Sequence, residues 1–261
     1  MEMCMEKITA KSNQLVKDTK KLITSSKARS KAHLFVLEGA RLCFDVLNSV
    51  YKVKCLFITQ AAYDKYNDRA KQMAAIAQSA YIISDDIADK LGDTANSQGI
   101  FAVCEMKNTE KAHYGKKVIA LDNVQDPANV GAVIRTAEAL GISNIIAYNC
   151  CDIYNSKTLR ASMGSVLRMN VSLCDNLEEE LLSLRSDGYN IYSTVPDRSA
   201  QPITQIDFSS PCVSVIGNEA NGVESNIKDI SDALVTIPMR GRAESLNAAA
   251  AASVIMWEML R

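Results

Sequence analysis

The chain has 261 residues, 48% of them hydrophobic and 23% charged, which is the profile of a globular protein with a proper core and not of a low-complexity chain. Its formal net charge is −1, yet residues 1–31 carry eight Lys/Arg against three Asp/Glu, so a basic start precedes a mildly acidic body. That layout fits a polyanion partner as well as it fits a solvated, partly helical N-terminus.

Eight cysteines are scattered without a Cys-x-x-Cys, and there are only two histidines, His33 and His113. A structural zinc site needs closely spaced ligand pairs, so no metal is expected. Thiols without a framework fit a reducing cytosol, and the adjacent Cys150 and Cys151 read as buried or half-buried thiols. No apolar run is long enough to span a membrane, and no apolar signal core stands near the start, so a cytoplasmic location is expected.

In chain order, residues 7–25 are predicted helical, with Ile8, Leu15, Leu22 and Ile23 on one stripe among lysines. Strands and helices then alternate: strand "HLFVLEG", helix "ARLCFDVLNSV", strand "VKCLFIT", helix "AAYDKYNDRAKQMAAIAQ", strand "AYIIS", a short helix capped by Ser84 or Asp85, and strand "QGIFAVCEM". The polar stretch at 107–116 is the expected domain boundary. It separates a basic helical segment (1–28) and a small α/β domain (29–106) from a second α/β domain (117–261). The second series opens with strand "KVIALDNV", loop "QDPANVG" and helix "AVIRTAEALG". It closes with strand "CVSVIGNE", a helix near 224–230, strand "ALVTIP" and an Ala-rich helix. Apolar strands alternating with helices indicate a parallel sheet covered on both faces, with ligands at the carboxyl ends of the strands.

Three loops at strand ends stand out. In "DNVQDPANVGAVIR", Asn129 can cap a helix and Arg135 follows six residues later; the plain alternative is a cap plus a surface Arg135–Glu138 pair. In "VIGNEANGVES", Gly217 and Gly222 permit a tight turn and close backbone approach, and Glu219 is either a turn acid or a site acid. The phosphate-loop pattern fails because Val223 and Glu224 follow Gly222, and no G-x-G-x-x-G occurs. In "IPMRGRAESLNAAAAA", Pro238 and Gly241 shape a loop before a helix capped by Ser245 or Asn247. The alanines by themselves read as simple helix propensity.

In this order and content the loops resemble the SpoU/TrmH family of RNA ribose 2′-O-methyltransferases, within the SPOUT superfamily: Asn129-x-Gly131-x-x-x-Arg135, Gly217-Asn218-Glu219-x-x-Gly222, then Ile237-Pro238-Met239 with Ser245-Leu246-Asn247. The likeness covers about 117–261, and "FVLEGARLCFDVLNS" and "ANSQGIFAV" look like the family's L30e-type substrate-binding domain. The resemblance implies a parallel-sheet domain with a deep trefoil knot, a homodimer, and S-adenosylmethionine held by Gly217, Ile237 and Leu246, with Thr194 and Met239 lining it. It implies that Arg135 acts on the ribose and its phosphate, that Glu219 and Asn129 orient Arg135, and that Ser245 and Asn247 hold the ribose or the loops. Lys27, Arg29, Lys31, Arg160, Arg240 and Arg242 are candidate RNA contacts, each of which also reads as a solvated charge. Ribosomal RNA of the 23S type is the favoured substrate; tRNA methylation, or RNA binding without catalysis as an assembly factor, are the alternatives.

Overall fold

The computed structural model describes residues 5–94, 97–107 and 114–261, and divides into two units. One is Met1–Asn108 with Tyr154–Arg160; the other is Thr109–Ile153 with Ala161–Arg261. Most of the stretch expected as a linker, residues 108–113, lies outside the described residues.

The first unit holds a five-stranded sheet of β1 (Glu6–Ile8), β2 (Leu34–Glu38), β3 (Val53–Thr59), β4 (Ser79–Ile83) and β5 (Ile100–Glu105), in the order β1-β4-β3-β5-β2. β1 and β3 run parallel to β4, while β5 is antiparallel to both β3 and β2. Its helices are α1 (Gln14–Thr24), α2 (Ser26–Ala32), α3 (Ala40–Asp45), α4 (Gln60–Ile76) and α5 (Asp85–Leu91). The helix expected over 7–25 is therefore shorter than its pattern. Asn13 accepts a hydrogen bond from Leu15 N and starts α1, and Glu6–Ile8 joins the sheet instead. The buried stripe is Val16, Thr19, Leu22 and Ile23, a 3.6-residue face, and Leu15 points outward. Ser25 ends α1 and caps the unforeseen α2 by accepting from Ala28 N.

Arg29 overturns one expectation. It is buried, and its Nη1 donates to Leu22 O at 2.7 Å and Ile23 O at 3.1 Å. The last carbonyls of α1 lack intrahelical donors, so this guanidinium satisfies them and is not open to a phosphate. Tyr154 packs in the same unit, 4.5 Å from the Phe35 ring and with its hydroxyl 3.2 Å from that of Tyr51. Arg160 is held there by Asp93 at 3.0 Å.

The second unit holds a seven-stranded sheet of β6 (Lys117–Asp122), β7 (Asn144–Tyr148), β8 (Asn170–Cys174), β9 (Asn190–Thr194), β10 (Gln201–Pro202), β11 (Cys212–Ile216) and β12 (Ala233–Thr236). The order is β10-β12-β9-β11-β6-β7-β8, and every pairing is parallel, as the apolar strands predict. β11 is buried at every position. The unit's helices are α6 (Pro127–Leu140), α8 (Leu177–Ser186), α9 (Ser225–Asp229) and α10 (Ala248–Leu260), while α7 (Ser156–Ala161) lies, but for Ala161, in the first unit. The residues predicted as loop 125–131 instead start α6. Asp126 is the cap, accepting from Ala128 N at 2.8 Å, and Pro127 sits at the first helical position, where no N–H is needed. Asn129 is thereby inside the helix and not its cap.

Among the described residues no helix is long and apolar enough to cross a membrane, and no group of three or more His, Cys, Asp or Glu is placed to hold a metal. Cys150 and Cys151 are half-buried and not joined in a disulfide, and burial pushes the Cys150 thiol up to about 12.

Asp122 ends β6 fully buried. Its Oδ2 accepts from Glu224 N at 2.7 Å, and Oδ1 has no partner among the described residues. Burial raises this carboxyl above its usual 3.8, against the lowering by the Glu224 N–H. A raised folded value favours the neutral acid, so its stabilising contribution is full at low pH and is lost as pH rises through the folded value. Asp122→Asn keeps an acceptor and cannot ionise. Thermal melts should find wild type gaining stability relative to this variant as pH falls from neutrality through the raised value toward 3.8. A pH-independent difference would mean the carboxyl is not raised.

Candidate active site

Because the sheet is parallel, the loops after β6, β9, β11 and β12 emerge from the same edge, and these four strands are neighbours in it. The loop after β11 doubles back at once. Asn218 and Gly222 exchange backbone hydrogen bonds of 3.0 and 2.9 Å, with Gly222 at φ +70°. A Cβ on Gly217 would sit 2.2 Å from Gly222 C and Val223 N, both backbone atoms, so only glycine closes this turn. Asn218 Oδ1 accepts from Ala220 N and Asn221 N, and its Nδ2 donates to Asn123 O at 2.8 Å, pinning the loop to the end of β6.

Glu219 is the hinge between loops. Its Oε1 accepts from Asn129 Nδ2 at 2.8 Å, and Gln125 N and Asp126 N point at its two oxygens at 3.4 Å. Burial alone would raise this carboxyl, but the Asn129 amide and the backbone N–H groups outweigh it and hold it below the usual range. Asn129 Oδ1 in turn accepts from Asn247 Nδ2 at 2.9 Å. Asn247 Oδ1 then caps α10, accepting from Ala249 N at 3.0 Å and Ala250 N at 3.3 Å. Of the two caps considered for this helix, Asn247 is the one used. One chain of amides thus ties the three loops together.

A cavity of about 440 Å³ opens beside this chain, of the size that takes a drug-sized or cofactor-sized ligand. Thr194, Gly217, Ile237, Met239 and Leu246 all line it, as do Glu219 and Ser245. Asn129, Asn247 and Arg135 do not. Arg135 is exposed on α6 and makes no hydrogen bond or ion pair among the described residues. Six residues apart on one helix, Asn129 and Arg135 point roughly 120° apart around the axis, so neither Asn129 nor Glu219 bonds to Arg135 as expected. Nor does Arg135 pair with Glu138, which is taken by Ser165 at 2.6 Å and by both Nε and Nη2 of Arg168. Arg240 and Arg242 are exposed in the loop before α10, and Lys27 and Lys31 are exposed on α2.

Sequence reasoning missed several residues that shape the site. Asp122, accepting from Glu224 N, and Asn218, donating to Asn123 O, anchor the loop after β11. Asn123 and Asn149 adopt positive φ, 58° and 47°, at the ends of adjacent strands β6 and β7. Gln125 Nε2 bridges them, donating to Asn123 Oδ1 and Asn149 O at 2.6 Å each. The available signal was Asn just past an apolar strand, the residue that best tolerates the left-handed region after glycine.

Comparison with known proteins accords with this geometry. The profile of the SpoU rRNA methylase family matches residues 116–257, and that of the MRM3-like substrate-binding domain matches 13–102. The 23S rRNA (guanosine(2553)-2′-O)-methyltransferase RlmP of Bacillus subtilis (strain 168) is 34% identical over 256 residues, 98% of this chain and 99% of its own. The AdoMet-bound rRNA methyltransferase from Sinorhizobium meliloti superposes with a TM-score of 0.87 at 29% identity, covering 98% of this chain and 97% of its own. The SpoU methyltransferase AviRb from Streptomyces viridochromogenes, solved with AdoMet, gives 0.83 at 25% identity, covering 95% and 97%. With a profile match over more than half its length that takes in all three loops, the chain belongs to the SpoU rRNA methylase family.

Proposed function

We propose that this chain transfers the methyl group of S-adenosylmethionine to a ribose 2′-hydroxyl of 23S-type ribosomal RNA. One observation carries the reading: the five residues expected around the donor line a single cavity, whose wall includes a turn that only glycine can close. Likeness over nearly the full length to the Bacillus subtilis enzyme, first unit included, supports ribosomal RNA over tRNA. The two AdoMet-bound neighbours support the cofactor.

Gly217 lets the main chain approach the donor closely, and Ile237, Met239 and Leu246 offer apolar surface for an adenine. Bound there, S-adenosylmethionine supplies a methyl on a sulfonium leaving group; the protein supplies alignment and electrostatics. Arg135 keeps its donors unengaged, so its guanidinium is available to the phosphate beside the reacting ribose. A guanidinium stays protonated and is not a base. In this reading it stabilises the oxyanion that develops as the 2′-hydroxyl proton leaves through that phosphate to solvent. Glu219, Asn129 and Asn247 are positioning residues for the loops, and Ser245 in the cavity wall meets the ribose.

The small domain over 29–106 recognises RNA by shape or by a splayed loop, with Lys27, Lys31, Arg240 and Arg242 adding salt-dependent phosphate contacts. The reading includes a cytoplasmic location and a trefoil knot closed by the Ala-rich start of α10. It also includes a homodimer. Val254, Trp257 and Leu260 are 39, 64 and 45% exposed on α10, an apolar stripe that a second copy would cover.

The first test is transfer of labelled methyl to unmodified 23S-type rRNA and, separately, to bulk tRNA, with nuclease mapping of the ribose. Label in rRNA alone upholds the proposal; label in tRNA alone overturns the substrate, and none in either with no cofactor binding overturns the enzyme. Arg135→Ala should keep cofactor affinity and lose turnover by roughly 10²–10³-fold, and near-normal turnover would remove Arg135 from the mechanism. Gly217→Ala should abolish cofactor binding in calorimetry while the far-UV spectrum stays native. For the dimer, Trp257→Glu should halve the mass seen by light scattering; an unchanged mass would place the interface elsewhere.

A further inference from the structure

The cavity has a charge pattern that the methyl-transfer chemistry does not use. Among its described lining residues there is one cation, Lys228, against three carboxylates, Asp197, Glu219 and Glu244. Lys228 lies on α9, half-buried, and its ammonium has no hydrogen bond or ion pair among the described residues. Glu219 is spent on Asn129, Gln125 and Asp126. Glu244 sits on the exposed loop at 240–247. Asp197, just past β9, is built differently. Its Oδ1 accepts from both Ser199 N and Ser199 Oγ at 2.8 Å, while Oδ2 has no partner among the described residues. The Ser199 N–H and hydroxyl hold this carboxyl below the usual range, so it stays ionised.

Resting on the function proposed above, we propose that Lys228 and Asp197 read the zwitterionic aminocarboxyl end of the methyl donor, Lys228 taking its α-carboxylate and Asp197 Oδ2 its α-ammonium. S-adenosylmethionine carries one anionic group, and the cavity lining offers one cation. The Lys228 ammonium, the one cation in a lining that also carries three carboxylates, makes no hydrogen bond or ion pair among the described residues. It supplies an attraction that only an anionic ligand group completes. The adenosine end of the donor is neutral and fits the apolar walls, so charge recognition falls to the amino-acid end. The product S-adenosylhomocysteine keeps that end, so the pair holds product as well as donor and does not itself favour release.

Calorimetry on the full chain with two ligands tests this. S-adenosylhomocysteine carries the aminocarboxyl end; 5′-methylthioadenosine has the same adenosine and thioether without it. Wild type should prefer the first. Lys228→Met should weaken S-adenosylhomocysteine by about ten-fold or more and leave 5′-methylthioadenosine unchanged, which also shows the variant to be folded. Asp197→Asn should act in the same selective way, and Lys228→Arg should retain most of the affinity. Equal loss for both ligands, or no loss for either, would overturn the assignment. Equal wild-type affinity for the two ligands would overturn it as well. Wild type that binds neither ligand would overturn the cofactor reading of the cavity, and this assignment with it.

Discussion

The site rests on what one carboxamide can do. A side-chain amide presents an acceptor and a donor on the same planar group. Asn129 spends its nitrogen on Glu219 and its oxygen on Asn247, joining loops that lie 90 and 118 residues away. Asn129 is buried, so a partner removed from either side leaves a polar atom without water, at a cost of about 1–3 kcal/mol. Aspartate has no donor for Glu219, and its charge would face a carboxylate held below its usual range. Leucine would fill the space and break both bonds. The geometry of the second and third loops is therefore set from the first turns of α6.

That turn is available because two other residues take over the helix start. Asp126 caps and Pro127 fills the first helical position, so Asn129 is released from capping and turned toward Glu219. At the opposite end of the chain Asn247 does two jobs, capping α10 with its oxygen and holding Asn129 with its nitrogen. The strand order completes the arrangement. With β12, β9, β11 and β6 side by side and parallel, loops far apart in sequence emerge next to one another, and the cavity forms where they meet.

The limits of the sequence follow the same physics. β6 and β11 of the second unit were legible because parallel strands buried on both faces read as continuous apolar runs, Val53–Thr59 of the first unit coincides with its apolar stretch, and the two-residue β10 was not foreseen. The five cavity residues were legible through the resemblance and not through periodicity. What escaped depended on which of two adequate partners wins. Asp126 and Asn129 are both good caps, and only the proline between them decides. Arg29 looks like any cation in a basic segment, and nothing local announces that α1 ends over it with bare carbonyls. Glu6–Ile8 is too short to carry a strand signal and is recruited by the register of β4. Lys228 sits in a five-residue helix with no pattern of its own, and its environment is created by loops from elsewhere.

The alanines before the last helical turns take on a second meaning in this setting. Helix propensity accounts for their presence in α10 but not for Ala248 and Ala251 facing the cavity. Gly217, also in the lining, has no side chain because a Cβ there would meet the backbone of Gly222 and Val223. Small side chains on α10 thus leave room along one wall of the cavity. Close-packed interiors do not leave such volume by chance, since larger residues at these positions would gain buried area. A Leu at 251 would add apolar contact and fill the space, so the small residue gives up packing energy for room. The polar entrance to α10 belongs to the same arrangement. A helix whose first turn borders a cavity cannot cap itself with neighbouring side chains packed around it, so its orphan N–H groups are met by Asn247, which the amide chain already holds in place.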